Sequence, residues 1–440
     1  MLKHCLTRIL PLPLALCAAL AGLVCAASPV TLHVIANMSR YPQPFGLAEG
    51  SPGLFYSTAG TLIFSITSQG KKTALTTFPS GYNIQSQMVS GANGRIYSVV
   101  EYGGNPAELF SVDSAPGKVT YTPQDFDFAL TRNLPDGTLL GVGLSLQSNQ
   151  WGLFTADLNG QATITYQFPS GQRLPLDTAA YATDGNYYGI SYLQDASGYL
   201  YRVTPSGSLT QLVNFPSGAF LHTANVPLLQ ANDGNLYGAT PNGGANANGT
   251  IYKLTLAGQY TLLYTFPKGK NFNPTWLIEG SDGNLYGATL GVIADGGASE
   301  LFRITTSGQY TPLVTMNFGS QGGCPCTLVQ GSDGLIYGTA LSGGVTGGGT
   351  IFSLDAGLPK PVPHAWVFQP RSGAPGTQVR IWGSDMLSAT AAFNGLPAAA
   401  VSNSGPNYVL ATVPEGATTG PITITTPGGT SATPGSFKVQ

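Results

Sequence analysis

Short apolar runs alternate with Gly-containing turns along most of this chain, and the region from Asn273 onward shows the grammar. Trp276-Leu277-Ile278-Glu279 predicts a first strand, and Asp282-Gly283 a two-residue turn whose twist suits a hairpin. Leu285-Tyr286-Gly287-Ala288-Thr289 predicts a second strand, followed by a Gly-rich loop from Gly291 to Gly297. Leu301-Phe302-Arg303-Ile304-Thr305 makes a third, Ser307-Gly308 turns the chain, and Tyr310-Thr311-Pro312-Leu313-Val314-Thr315 makes a fourth. The preceding stretch repeats this order with Gly249-Thr250-Ile251-Tyr252-Lys253-Leu254-Thr255, Ala257-Gly258 and Tyr260 to Phe266.

The turn and second strand form a phrase that recurs. Clear copies begin at Asp184, Asp233, Asp282 and Asp333, looser ones at Asp136 and Asn93, and one that has lost its Asp at Pro52. Successive copies lie 41 to 51 residues apart, a period that belongs to propellers and solenoids. Four antiparallel strands per repeat is the pattern of a propeller blade. The ends of the array agree with a closed ring. After Gly349-Thr350-Ile351-Phe352-Ser353-Leu354 no fourth strand follows, whereas Val30-Thr31-Leu32-His33-Val34-Ile35 aligns with Tyr260 to Thr265. Residues 29–36 are therefore expected to complete the last sheet and remove its exposed edge. The expected fold is all-β: a seven-bladed propeller over residues 28–356 closed by the N-terminal strand, a stiff linker at 357–363, and a sandwich over 364–440.

Composition supports this picture and narrows the partners. Only 9% of the 440 residues are charged, with 59 Gly and 32 Pro, which suits a turn-rich β protein; the 42% apolar content argues against disorder. Lys3, Arg8, the apolar stretch from Ile9 to Val24 and Cys25-Ala26-Ala27 read as a secretory leader over residues 1–27, with lipidation at Cys25 the alternative. Without the leader, 16 basic face 20 acidic side chains, a charge of −4. No basic cluster is present to track a phosphate backbone, so nucleic acid is not an expected partner. No later segment is long and apolar enough to span a bilayer as a helix. The mature chain is expected to be a secreted, periplasmic or cell-surface monomer. Two cysteines remain, Cys324 and Cys326, either a tiny strained disulfide ring through Pro325 or a pair of buried thiols.

The C-terminal stretch has a different grammar. Trp366-Val367-Phe368-Gln369-Pro370, Gly373 to Gly383, Phe393-Asn394-Gly395, Val413-Pro414 and Gly416 to Thr425 occur in the order seen in the IPT/TIG family. Residues 361–440 resemble that family, which implies an immunoglobulin-like sandwich acting as a spacer or adhesion module. The phrases Gly280 to Thr289 and Gly249 to Thr255 resemble the Gloeo/Verruco tandem repeat of exported bacterial proteins, a likeness covering residues 30–356. Asp-Gly-Asn-Leu-Tyr is also similar to the repeat of seven-bladed antibiotic lyases. Those carry Trp-Phe after Asp-Gly-Asn and a histidine-rich centre, where this chain has Tyr-Gly and few histidines.

Candidate chemistry is sparse. An Asp before Gly bonds its own backbone in a turn, and Asp136, Asp184, Asp233, Asp282 and Asp333 belong to different blades, so they cannot share one ion. The recurring tyrosines read as packing. No elbow, phosphate cradle or spaced histidine pair is present, and no metal or other cofactor is expected. In an up-and-down blade the tight turns share one face; the longer connections share the other, where binding residues tend to reside on a rigid scaffold. That loop face is expected to carry Tyr82, Tyr102, Arg173, Tyr192, His222, Asn246, Lys268, Lys270, Phe272 and Asp295, suited to an extracellular glycan or protein partner. A non-catalytic binding protein is the leading expectation. A lyase-type propeller enzyme and a structural envelope component are the alternatives.

Overall fold

In the computed structural model the described residues are 29–39, 43–84, 86–91, 93–102, 107–113, 119–124, 126–174, 179–192, 197–216, 226–268, 272–291, 298–402 and 405–440. Residues 1–27, where a leader is expected, therefore lie outside them. The protein is all-β, with one short helix, Phe318–Gln321, among these residues.

Residues 31–355 form seven antiparallel sheets, six of four strands and one whose inner edge is split into two short strands. In chain order they span 44–77, 82–123, 126–167, 180–215, 229–265, 274–315 and 323–355. The seventh has three strands of its own and takes its fourth from the other end of the chain: Thr31–Asn37 pairs antiparallel with Thr350–Asp355, from Thr31 opposite Asp355 to Asn37 opposite Thr350. Apolar cores fill the gaps between consecutive sheets. Tyr286, Leu301 and Phe352 meet between the sixth and seventh, and Phe55, Phe64, Tyr337 and Ile351 meet between the seventh and first. Since the last sheet packs on the first, the array closes on itself.

The repeated Tyr-Gly pair explains how the sheets stack. The second-strand glycines Gly189, Gly238, Gly287 and Gly338 lie beneath third-strand rings, and a Cβ on any of them would overlap Tyr201, Tyr252, Phe302 or Phe352 respectively. The ring takes the volume a side chain would fill, so this Gly is a packing requirement.

Residues 364–439 form two further sheets. Phe368, Val379, Ile381 and Val409 on one face Phe393, Ile422, Ile424 and Phe437 on the other, giving a separate two-layer core.

Cys324 and Cys326 are free thiols, and the alternative of a ring through Pro325 is not realised. Cys324 holds φ 56° and the strand Gly323–Gln330 shifts register between Pro325 and Thr327. Cys326 Sγ turns to Thr339 Oγ1 at 3.2 Å in its own sheet and to the Pro44 carbonyl at 3.7 Å in the next. Burial pushes the Cys326 thiol up to about 12, which keeps it an unreactive S–H donor at neutral pH.

Candidate functional site

The turn phrase is a closed hydrogen-bond unit. In the copy at Asp282, Oδ1 accepts from Asn284 N at 3.0 Å, while Oδ2 accepts from Asn284 Nδ2 at 2.7 Å and from Tyr286 Oη at 3.0 Å. Asp184 and Asp233 repeat the three bonds. Asp333, followed by Leu335, keeps two. Their carboxylate oxygens are thus engaged within their own turns, and hydrogen bonds from Tyr and Asn hold Asp184 and Asp233 below the usual carboxylate range despite partial desolvation. In the copies at Asp282 and Asp333 a Gly precedes the turn and makes room for the tyrosine: a Cβ on Gly280 would lie 2.6 Å from the Tyr286 ring, and one on Gly331 2.8 Å from the Tyr337 ring.

One residue earlier the sheets are latched together. Gln230 Oε1 accepts from Thr183 N at 2.9 Å, Glu279 from Asn232 N at 2.9 and 3.1 Å, and Gln330 Oε1 from Ser281 N at 2.9 Å. Glu49 closes the circle by accepting from Ser332 N and Ser332 Oγ, both at 2.8 Å, and from Gly53 N at 2.8 Å. The last sheet is thereby pinned to the first. Desolvation raises the Glu49 carboxyl above its ordinary value, opposed by the bonds from Gly53 and Ser332, with Asp333 adding a further upward push.

A test of the latch follows. Glu49→Ala leaves two backbone N–H groups without their acceptor and is expected to cost about 2 kcal/mol in denaturant unfolding at pH 7. Glu49→Gln keeps an oxygen for Ser332 N and an Nε2 donor for the Ser332 hydroxyl, as Gln330 does toward Ser281, but leaves Gly53 N without its acceptor, and is expected to cost about 1 kcal/mol. The pH dependence has a definite sign. With its native pKa raised, Glu49 takes up a proton on folding, so this group adds stability as pH falls through the raised native value toward 4.5. Glu49→Gln should abolish that increment; an unchanged pH profile in this variant rules the assignment out.

The loop-face residues proposed from sequence are only partly brought together. Tyr82 pairs with Tyr102 at the end of the second sheet opposite its tight turn, and Tyr82 stacks on Phe78 with centroids 5.4 Å apart. Arg173, exposed, bridges Tyr192 in the fourth sheet, with backbone bonds of 3.0 and 2.9 Å. Lys268 is exposed. Asn246 is committed to structure, its Nδ2 donating to the Phe266 carbonyl at 2.9 Å. Phe272 is half-buried against Phe266, centroids 5.2 Å apart. His222, Lys270 and Asp295, and the side chain of Tyr102, lie outside the described residues. Two exposed apolar side chains on the same face were not anticipated: Phe318 and Val345, 41% and 72% exposed, on segments joined by the Gly344 N to Phe318 O bond of 2.8 Å. Both sit outside the repeated phrases, where periodicity carries no signal.

The tight-turn face holds what the sequence reading did not expect. The C-terminal sandwich rests there: Asn407 Nδ2 donates to Ser90 O at 2.5 Å, Ser281 Oγ donates to Pro359 O at 2.5 Å, and Gly405 approaches Gly94. Between the two lies a cavity of about 580 Å³, walled by Leu47, Glu49, Met88, Val89 and Val329 from the ring and by Asp385, Leu387, Pro406 and Pro427 from the sandwich. None of the described loop-face residues lines it. Arg132 does. A register shift between Leu130 and Arg132 re-aims this side chain, and its Nη2 donates to the Leu228 carbonyl at 2.9 Å, two sheets away across the ring. The third repeat is one residue longer ahead of its Asp-Gly, Arg132-Asn133-Leu134-Pro135-Asp136, and that irregularity was the available signal. Among the described residues no group of three or more His, Cys, Asp and Glu could hold a metal ion. None of their helices is long and apolar enough to cross a membrane.

Residues 175–366 match the Gloeobacter/Verrucomicrobia repeat family. No curated protein matches the chain. Among solved structures, a streptogramin B lyase has a TM-score of 0.55 at 17% identity, covering 75% of this chain and 98% of that one. A catalytically inactive virginiamycin B lyase from Staphylococcus aureus with quinupristin has a TM-score of 0.55 at 15% identity, covering 74% of this chain and 99% of that one. These likenesses define a repeat protein of β-propeller-like fold. At such identities they carry the fold and leave the chemistry to this chain's own residues.

Proposed function

We propose that this chain is an exported, non-catalytic binding protein. In this reading residues 28–356 are a seven-bladed propeller, and residues 364–440 are an immunoglobulin-like module of IPT/TIG type serving as a spacer. The ligand is an extracellular glycan or cell-surface partner. The observation that carries the proposal is the seat of the sandwich: it occupies the tight-turn face, which leaves the loop face, with Tyr82, Arg173, Tyr192, Lys268 and the exposed Phe318 and Val345, as the open face of the ring. Aromatic faces beside a guanidinium suit the apolar patches and hydroxyls of a sugar.

The enzyme alternative draws on the fold likeness to lyases. Binding of the mature chain to purified cell-wall glycans, measured with product analysis on the same mixtures, separates the two readings. Saturable binding without turnover, weakened about tenfold in Arg173→Ala/Tyr192→Ala, is the expected result. Turnover of a glycan, or binding indifferent to those substitutions, refutes the loop-face reading.

A further inference from the structure

The cavity between ring and sandwich offers a second site, on the opposite face and independent of any loop-face ligand. Arg132 is one of its lining residues. Among the described residues its side chain makes one hydrogen bond, from Nη2 to the neutral carbonyl of Leu228, and Nε is buried without a partner. Desolvation alone governs its titration, lowering it to about 10, and no carboxylate answers its charge. At neutral pH the guanidinium is still cationic. The residue is half-buried, and a guanidinium partly withdrawn from water with no ion-pair partner is stabilised by an anion placed beside it. This one lines a space large enough for a small organic molecule.

The surrounding walls narrow the chemistry. Leu47, Met88, Val89 and Leu387 present apolar surface. Glu49 and Asp333 are engaged in the latch and turn bonds, and Asp385 sits on the sandwich side of the same space. Lys360, exposed, also lines the space, so two cations face the three carboxylates of Glu49, Asp333 and Asp385. A dianion adds to an acidic excess, whereas a monoanion with an uncharged or apolar body meets complementary surface. We propose that the cavity at Arg132 binds a small monocarboxylate, with the guanidinium taking the carboxylate and the apolar wall taking the body.

Calorimetric titration of the mature full-length chain tests this with D-glucuronate and benzoate as carboxylate probes, D-glucose and benzamide as uncharged counterparts, and inorganic phosphate as the competing oxyanion. Saturable binding of at least one carboxylate is expected, with its uncharged counterpart silent. Arg132→Gln should weaken that binding at least tenfold, since it removes the charge and, with a shorter side chain, the reach to Leu228 O. Gln69→Glu, an exposed cavity-lining position on a surface turn, keeps the fold should Arg132→Gln lose it; the added negative charge should weaken the carboxylate several-fold at low salt and less at high salt. Phosphate binding tighter than either carboxylate, equal binding of charged and uncharged probes, no saturable binding by glucuronate or benzoate, or carboxylate binding untouched by both variants each overturns the proposal.

Discussion

Deleting residues 29–37 is expected to lower the thermal midpoint by more than about 10 °C and to convert the purified chain from a single species to self-associating material. The physical reasons act together. Thr31–Asn37 supplies the whole outer ladder of the seventh sheet, and Val30 and Leu32 pack against the core between the sixth and seventh sheets while Ile35 and Ala36 pack beside the next one. Half-burying four apolar side chains contributes on the order of 4 kcal/mol, and a loss of that size moves the midpoint of a domain this large by roughly 2 to 4 °C per kcal/mol. The strand Thr350–Asp355 would then present an unpaired edge, an invitation to intermolecular pairing. Scanning calorimetry with size-exclusion chromatography reads both effects, and a synthetic peptide of residues 29–39 added in trans should restore part of each. A deletion variant that melts with the parent and stays a single species would show that this strand does not hold the ring.

Gly287→Ala is expected to cost about 3 kcal/mol, the upper end of ordinary overpacking. The added methyl would overlap the Phe302 ring, which sits at 1% exposure with no room to retreat. Two comparisons isolate the cause. In Gly283→Ala the methyl meets nothing within 4 Å, but the residue holds φ +76°, so only the left-handed backbone is penalised, by about 1 kcal/mol. In Gly287→Ala/Phe302→Leu the smaller partner frees space, and part of the loss should return, a coupling visible in a double-mutant cycle. Denaturant unfolding of the parent, Gly287→Ala, Gly283→Ala, Phe302→Leu and the double variant decides the matter. If Gly287→Ala costs no more than Gly283→Ala, the ring-over-glycine account of sheet stacking fails.

What could be read along the chain follows from locality. Asp282, Gly283, Asn284 and Tyr286 satisfy one another within five residues, so the turn is written in the sequence that makes it, and its spacing sets the repeat. The closing strand was legible for the same reason: Val30 to Ile35 carries the alternation of Tyr260 to Thr265, and the last repeat stops one strand short. Glu49, Glu279 and Gln330 were present in the pattern, yet nothing local says that each reaches into the turn of the neighbouring sheet. The loop-face selection rested on loop position alone, and so it included Asn246 and Phe272, whose side chains are committed to a backbone carbonyl and to the core.

The sequence by itself determined the strand grammar, the turn chemistry and the pairing of the chain's two ends, because hydrogen bonds and hydrophobic alternation act over a few residues. Only the tertiary structure decided which face the sandwich covers, that a cavity remains beneath it, and that Arg132, which lines it, reaches the Leu228 carbonyl two sheets away. Those depend on side chains tens to hundreds of residues apart, such as Asn407 and Ser90 or Arg132 and Leu228, whose meeting no local pattern encodes.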